Sequence, residues 1–262
     1  MFGDTSQVGE GRDDFPYRIL EQADHRPWPM PRSPWVMTQT WHDVLFAHWP
    51  VDRGGLEARL PRACTLDLAD GQAWLGIVAF EMSNVAPRFV PALPWLSAFP
   101  EINVRTYVRV DDKPGVYFFS LDATNPVAVW FARRFFHLPY HTAAIEVRRN
   151  GDAVVYSCRR RNADAGFESI YSPAGGASEA VAGSLEYFLT ERYCLYTVDA
   201  ANRLMRCDIH HPPWPLQPAT ATIGANTLAE AAGISLPPIA PIVHFSKRQD
   251  TVNWQLTPAR PR

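Results

Sequence analysis

The chain has 262 residues, a formal net charge of −2 at pH 7 and a hydrophobic share of 47%. This composition is typical of a globular protein with a sizeable core, and the balanced charge argues against binding to nucleic acid or acidic membranes. No apolar run approaches the length of a membrane span, and the polar, acidic start lacks the basic and apolar segments of a signal peptide.

The N-terminal part is predicted to be a disordered start followed by a packed arm. Residues 1–16 are predicted to be disordered, and residues 17–262 show no linker or repeat, so we expect a single domain. The Pro-rich stretch Arg26–Trp35 is either a recognition segment or, as we favour, an extended arm that packs its tryptophans on the domain. Val36–Val51 then has the pattern of a strand.

Turn signals divide the middle and the end of the chain into short elements. Predicted hairpins join Thr65–Leu68 to Ala73–Met82, and Thr142–Arg149 to Ala153–Arg161; further strands are Cys194–Val198, Arg203–His210, Val243–Ser246 and Val252–Leu256. Short helices are predicted over Leu56–Leu60, Gly183–Tyr193 and Asn226–Ala232. The Pro-rich stretch Val85–Pro100 is predicted to be a loop at the rim of a pocket.

The stretch Phe99–His141 carries the densest set of polar side chains in apolar surroundings. In its first strand, apolar residues alternate with polar ones, and the polar face consists of Glu101, Asn103, Arg105, Tyr107 and Arg109. A polar face of this kind is commonly solvated. The alternative is a face that lines a pocket.

The second strand of this hairpin helps to distinguish a solvated polar face from one that lines a pocket. Segment Val116–Leu121 is apolar on both faces apart from Ser120, which is typical of a strand covered on both sides. A neighbouring strand is then covered too, and a covered Glu101 or Arg105 needs a partner or a ligand. The residues alone leave the pocket and the solvated face both open.

A helix is predicted to follow, with Thr124 or Asn125 as its cap and Pro126 in its first turn. Its apolar residues surround almost the whole circumference, which predicts a buried helix. Its only charges are Arg133 and Arg134. Either they extend into solvent near the helix C-terminus, or Arg133 reaches an anion in the pocket.

Five segments resemble the YqjF-like family, domain of unknown function 2071: FPEINVRTYV, PGVYFFSLDA, ARRFFHLPY, GSLEYFLTERYCLYT and HHPPWPLQPA. The resemblance runs from Pro34 to Leu256. It implies no activity, because the family has none established. It does imply a fold related to acetoacetate decarboxylase, a β-barrel or cone around a small-molecule pocket.

The sequence departs from the decarboxylase at the catalytic loop. That enzyme carries a Schiff-base lysine directly after the loop proline, and a second lysine beside it lowers the pKa of the nucleophile. Here Tyr140 and His141 stand at those positions, after Pro139. Glu101 resembles a pocket glutamate of the decarboxylase. The resemblance therefore implies a pocket, and the missing lysine argues against decarboxylation of acetoacetate.

Metal and amine chemistry find little support. Lys113 and Lys247 are the only lysines, and the four cysteines are widely spaced, with neither a disulfide framework nor a zinc motif. A metal site at His42 and His48, which lie six residues apart with Asp43 between them, would need a third same-face ligand that the sequence does not identify. We therefore expect a cytoplasmic protein that requires no metal and no cofactor.

These observations predict a mixed α+β, β-rich fold, an antiparallel barrel or cone resembling acetoacetate decarboxylase with a few short helices. The leading functional hypothesis is binding of a small organic molecule, such as an anion, in the pocket. Asn103, Arg105 and Arg133 are the candidate ligand contacts.

Two other functions stay open. One is an enzyme of the same superfamily without the lysine nucleophile, in which Glu101, Tyr140 and His141 supply acid–base chemistry. The other is a protein-interaction module that uses the Trp/Pro-rich arm. We expect a small-molecule ligand, no nucleic acid and no membrane, and a homo-oligomer is compatible with each hypothesis.

Overall fold

The computed structural model describes residues 15–92 and 96–259, which form thirteen strands and five short helices. The strands are β1 Met37–Val51, β2 Thr65–Leu66, β3 Ala73–Pro87, β4 Phe99–Val110, β5 Lys113–Ala123, β6 Tyr140–Asn150, β7 Ala153–Arg160, β8 Gly166–Pro173, β9 Cys194–Val198, β10 Leu204–His210, β11 Gln217–Asn226, β12 Ile242–Asn253 and β13 Thr257–Pro258. The helices are α1 Phe15–Leu20, α2 Arg53–Glu57, α3 Pro126–Phe135, α4 Leu185–Thr190 and α5 Leu228–Ala231. No helix within the described ranges has the length and apolar character needed to span a membrane.

The strands form one sheet that curls into a ring. From β5, the neighbours follow the order β6, β7, β8, β11, β12, β1, β3 and β4, and β4 pairs with β5 again. Strands β9 and β10 make a second connection, because β9 pairs with β5 and β10 pairs with β12. Most pairs are antiparallel, whereas β5 runs parallel to β6 and to β9. The predicted β-rich mixed fold is confirmed as a ring-like sheet.

Strands β1, β3 and β4 separate a filled core from a hollow space, because successive side chains point to opposite faces of a strand. Ile102 and Val104 of β4 are fully buried in the main hydrophobic core. The intervening Glu101, Asn103 and Arg105 point to the other side, where they line a cavity. One strand thus supplies both core packing and the polar groups of the cavity.

The N-terminal arm packs on the sheet, as predicted. Trp35 is buried, and the indole Nε1 of Trp28 donates to Oδ1 of Asp208 at 3.1 Å. The guanidinium of Arg26 is also buried and donates to the backbone oxygen of Ile209 at 2.7 Å. These bonds satisfy the indole N–H of Trp28 and one terminal nitrogen of Arg26, whereas Nη2 of Arg26 and Nε1 of Trp35 are buried without a hydrogen-bond partner among the described residues.

The predicted boundary of the disordered start is wrong at its last two residues. Phe15 and Pro16 begin α1 and are buried, and Phe15 packs with Ile19 and Trp35. Apolar contacts with the arm explain why these two residues belong to the domain. The rest of the predicted disordered segment, residues 1–14, lies outside the described residues.

Several predicted elements differ in pairing or extent. β2 pairs with β4 and not with β3, so the predicted hairpin at Asp70-Gly71 is reduced to a bridge between Ala69 and Gln72. β12 is one continuous strand where two were predicted, because it pairs with β1 along its whole length. β8 and β11 were not predicted, and they pair with each other. The hairpin of β6 and β7 at Asn150-Gly151 is confirmed.

Helix α3 is exposed, although its apolar circumference predicted a buried helix. Val129 is the buried residue of α3, whereas Trp130 is 61% exposed and Phe135 is 50% exposed. One side of the helix, including Ala128 and Phe131, forms part of the cavity wall. The prediction failed because an apolar pattern indicates which side chains avoid water, but not whether other elements cover them.

Candidate ligand-binding cavity

A cavity of about 230 Å³ lies on the hollow side of β1, β3 and β4. Strand β5 and helix α3 contribute to its wall, together with residues near the ends of α4 and β10. Most of the wall is apolar or aromatic, as in Val44, Phe46, Val78, Phe80, Phe118 and Phe131. A mostly apolar concave pocket with a few converging polar groups is the usual form of a small-molecule site.

Glu101 and Tyr140 form a hydrogen-bonded pair on this wall. The hydroxyl of Tyr140 donates to Oε2 of Glu101 at 2.6 Å, and the side chain of Asn103 also hydrogen-bonds Glu101. Burial disfavours the charged carboxylate and raises the pKa of Glu101 to about 7, although the bonds from Tyr140 and Asn103 lower it. Burial, followed by the charge of Glu101, holds the pKa of Tyr140 well above its usual range.

Arg105 is buried on the same wall, with 9% of its surface exposed. Its Nη2 donates to the backbone oxygen of Leu189 at 3.2 Å, whereas its Nε has no hydrogen-bond partner among the described residues. Its guanidinium lies 5.5 Å from the centroid of the Phe46 ring. No carboxylate of the described residues lies within 4.0 Å of it. Arg105 is therefore a buried cation without an ionic partner.

A second buried arginine on the wall, Arg192, is already paired. Its Nη1 lies 2.6 Å from Oδ2 of Asp67, and its Nε donates to the backbone oxygen of Phe188. The adjacent Glu191 does not form an ion pair with Arg192. Glu191 instead accepts from the hydroxyl of Tyr193 and the backbone N–H of Trp214.

Other polar residues of the wall were not predicted as site residues. They come from the end of α4, the Pro-rich turn after β10 and the end of β12: Thr190, His211, Trp214 and Asn253. The indole Nε1 of Trp214 and the Nδ2 of Asn253 are buried and have no hydrogen-bond partner in the described part of the chain. The run Thr190-Glu191-Arg192 between an apolar helix and an apolar strand was the available signal, and it does not identify which side chain turns inward.

Two predicted site residues do not line the cavity. His141 follows Tyr140 on β6 and points to the opposite face, beside the buried ion pair of Asp122 and Arg160, because adjacent strand residues alternate. Arg133 follows the inward-facing Ala132 on α3 and lies on a separate groove with His137. The helical rotation between neighbouring residues carries it away from the wall. Glu101, Arg105 and Tyr140 thus line one cavity, and the expectation that Arg133 reaches it is wrong.

Neither lysine of the chain is on the cavity wall. Lys113 lies over the ring of Trp28, and Lys247 pairs with Asp43 at 2.6 Å while staying 74% exposed. Within the described residues, no group of three or more His, Cys, Asp or Glu side chains is arranged to hold a metal ion. The functional groups that the cavity presents include a carboxyl, a phenol, guanidinium groups and amides, together with an imidazole, a hydroxyl, a thiol and indole N–H groups.

Comparisons with known proteins identify the family to which the chain is similar. Residues 38–250 match the family named domain of unknown function 2071, described as an uncharacterized conserved protein. The uncharacterized protein YqjF of Bacillus subtilis (strain 168) is 48% identical over 239 residues, which are 91% of this chain and 98% of that protein.

Two solved structures share the fold at low sequence identity. The enduracididine biosynthesis enzyme MppR complexed with pyruvate has a TM-score of 0.62 and 11% identity, over 91% of this chain and 94% of that one. Acetoacetate decarboxylase from Legionella pneumophila has a TM-score of 0.57 and 13% identity, over 98% of each chain. The fold is thus that of the acetoacetate decarboxylase-like proteins, and the family match together with the 48% identity shows that the chain belongs to the YqjF-like family, domain of unknown function 2071.

Proposed function

We propose that this protein binds a small organic anion, such as a carboxylate, in the cavity, with Arg105 as the main contact. The observation that carries the proposal is that Arg105 is buried without a carboxylate partner among the described residues. A buried charge without a partner costs several kcal/mol, on the order of the cost of breaking a buried ion pair. An anionic ligand would supply the missing counter-charge and accept from Nε.

The neighbouring arginines support this choice of contact. Arg192 and Arg160 are also buried, but Asp67 and Asp122 neutralise them at 2.6 and 2.7 Å. The guanidinium of Arg105 is therefore available for an anionic ligand, whereas those of Arg192 and Arg160 already bind carboxylates of the protein. Planar guanidinium groups suit carboxylates because they donate two parallel hydrogen bonds.

The ligand class has two further supports. The MppR structure is that of a complex with pyruvate, which is a small carboxylate. The raised pKa of Glu101 keeps much of this group neutral at neutral pH, so it repels an incoming anion less than an ordinary glutamate would. No nucleic acid, membrane or metal is needed. The four free cysteines suit a location in the cytoplasm.

Calorimetric titration with pyruvate as the probe tests the proposal. We expect Arg105→Gln to weaken binding about tenfold or more, because a charge-assisted hydrogen bond is worth about 1.5–3 kcal/mol. Arg105→Lys should keep part of the affinity. Since Arg105→Gln removes an unpaired buried charge, its melting temperature should stay level or rise.

The matched control is Arg109→Gln, on the same strand. Its side chain is 44% exposed and lies 3.2 Å from Asp67, away from the cavity wall. Pyruvate affinity should be unchanged in this variant. Equal affinity of the parent and Arg105→Gln, or no binding of pyruvate, acetate or benzoate by the parent, would contradict the proposed function.

A second candidate function is acid–base catalysis on the bound molecule by Glu101. The observation that favours it is the pKa of about 7, which suits a group that must take up and release a proton near neutral pH. Deuterium exchange at the methyl group of pyruvate, followed by NMR, would detect such a reaction. Exchange that Glu101→Gln abolishes without loss of pyruvate binding would support an enzyme, and absence of exchange would leave a binding protein.

A further inference from the structure

We infer that the ligand is an amphipathic carboxylate that enters the cavity with its carboxylate first, carrying an apolar body about the size of one aromatic ring. The inference rests on the proposed function, because Arg105 is taken as the contact for the carboxylate. Beyond the proposed function, it specifies the chemical class of the ligand and which end of the ligand points into the cavity.

Polar and apolar side chains are distributed unevenly along the cavity. The residues on its wall that solvent reaches most are apolar: Pro87, Val127 and Phe131. Arg105, on the same wall, is 91% buried. The charged contact therefore lies at depth, and the apolar contacts extend to the opening.

This distribution determines the orientation. With the carboxylate inward, its charge meets Arg105, and its apolar body lies against Phe46, Phe131 and the rest of the aromatic wall. With the carboxylate outward, Arg105 would stay unpaired at depth and the charged group would lie beside apolar side chains at the opening. Burial without a partner disfavours that second arrangement for the guanidinium and for the carboxylate.

The volume of the cavity limits the size of the ligand. An apolar cavity of about 150 Å³ accommodates benzene. The cavity here is about 230 Å³, so it has space for one such ring together with a carboxylate on a short chain. Sites for drug-sized ligands begin at about 300 Å³, and larger molecules are therefore a poor fit.

Small hydrophilic acids would leave most of the cavity wall without contacts. Apart from its few polar groups, the wall offers aromatic and branched side chains from β1, β3, β5 and α3. Each buried methylene contributes about 0.8 kcal/mol to binding, which corresponds to about fourfold in affinity. An acid with an apolar body gains this contribution, and acetate does not.

A chain-length series tests the inference on the intact protein. Acetate, butanoate, hexanoate and 3-phenylpropanoate are titrated, and binding is followed by calorimetry and by the fluorescence of Trp41 and Trp214, which line the cavity. We expect affinity to rise about fourfold per methylene until the cavity is filled, and 3-phenylpropanoate to bind on the order of 100-fold more tightly than acetate. The neutral 3-phenylpropanamide should bind about tenfold or more weakly than its acid.

Two substitutions on α3 locate the apolar body. Phe131→Ala removes part of the cavity wall. It should weaken the binding of 3-phenylpropanoate about tenfold and leave the affinity for acetate unchanged. Trp130→Ala is the matched control on the same helix, because Trp130 is 61% exposed and does not line the cavity. Its affinities should equal those of the parent protein.

The outcomes separate the inference from the proposed function. If acetate and 3-phenylpropanoate bind with equal affinity and the binding of both depends on Arg105, the proposed function holds. The inference that the ligand is amphipathic is then overturned. If acid and amide bind equally and Arg105→Gln changes neither, the cavity is an apolar site and both proposals fall. Loss of 3-phenylpropanoate binding in Trp130→Ala to the same degree as in Phe131→Ala would overturn the assigned direction.

Discussion

Glu101 shows how a single buried carboxyl links the cavity to the stability of the whole protein. Its pKa lies at about 7 instead of 4.5, first because burial disfavours the charge, and also because Asp122 is near. Between these two pH values the folded protein keeps a proton that the unfolded chain has released. Stability therefore falls as pH rises through this window and is level above it.

Glu101→Gln should remove this pH dependence. The difference between a pKa of about 7 and one of 4.5 corresponds to about 3 kcal/mol, so the variant should be about that much more stable than the parent at pH 8. Below pH 4.5 the two proteins should have similar stability. Urea unfolding at several pH values measures the difference.

The control is Glu146→Gln, an exposed carboxyl on β6 whose side chain is 67% accessible. It should follow the pH dependence of the parent. A Glu101→Gln variant whose stability parallels the parent from pH 4 to pH 8 would show that Glu101 has no raised pKa.

At the scale of the element, α3 depends on its first turn and on the loop beside it. The side chain of Asn125 accepts from the backbone N–H groups of Val127 and Ala128, and its Nδ2 donates to the backbone oxygen of Leu96. Leu96 and Val127 both line the cavity. One side chain therefore caps the helix and ties it to the rim of the pocket.

Asn125→Ala should destabilise the protein by about 1 kcal/mol, the typical cost of removing a helix cap. Asn125→Asp should recover most of this loss, because a carboxylate accepts the same N–H bonds and suits the positive end of the helix dipole. Denaturant unfolding of the three proteins measures both effects. Equal destabilisation by Ala and Asp would show that the bond to Leu96, and not the cap, carries the effect.

The sequence predicts this element in part. Asn125 and Pro126 indicate where α3 begins, since capping and proline placement are local rules. Exposure of Trp130 and Phe135 did not follow from the pattern, because burial depends on which other elements pack over the helix. The expectation that Tyr140 lies at the pocket came from the resemblance to acetoacetate decarboxylase, whereas the direction of Arg133 depends on how α3 packs on the sheet.

At the scale of the whole molecule, the ring-like sheet is filled on one side of β1, β3 and β4 and hollow on the other. Val104 and Val44 are both fully buried valines. Val104 belongs to the main core, whereas Val44 lines the cavity. A side chain beside a cavity lacks packing partners on that side, so it contributes less to stability.

Val104→Ala should therefore cost about 1 kcal/mol more than Val44→Ala. Both changes remove two methyl groups, but Val104→Ala also creates a new void in a filled core, which adds about 24 cal/mol per Å³. Calorimetric or denaturant unfolding measures both losses. Equal losses would indicate that the hollow side is as well packed as the filled one.

The sequence by itself determined the β-rich fold class, the family and the two faces of β4. Alternation along one strand is a local property, so the residues alone place Glu101, Asn103 and Arg105 on the same face. The absence of a lysine after Pro139 is likewise visible in the residues. Strand order depends on contacts between distant segments and is not a local property. The pairing of β8 with β11 was not predicted for this reason.

Only the tertiary structure decided which polar groups have partners. Nothing in the sequence indicates which arginine has an ionic partner, whereas in the folded protein Arg160 pairs with Asp122 and Arg192 pairs with Asp67. Arg105 is left beside the cavity, after a shift in register between Val104 and Arg105. Pairing of charges depends on distances between segments far apart in the chain, which local patterns do not encode.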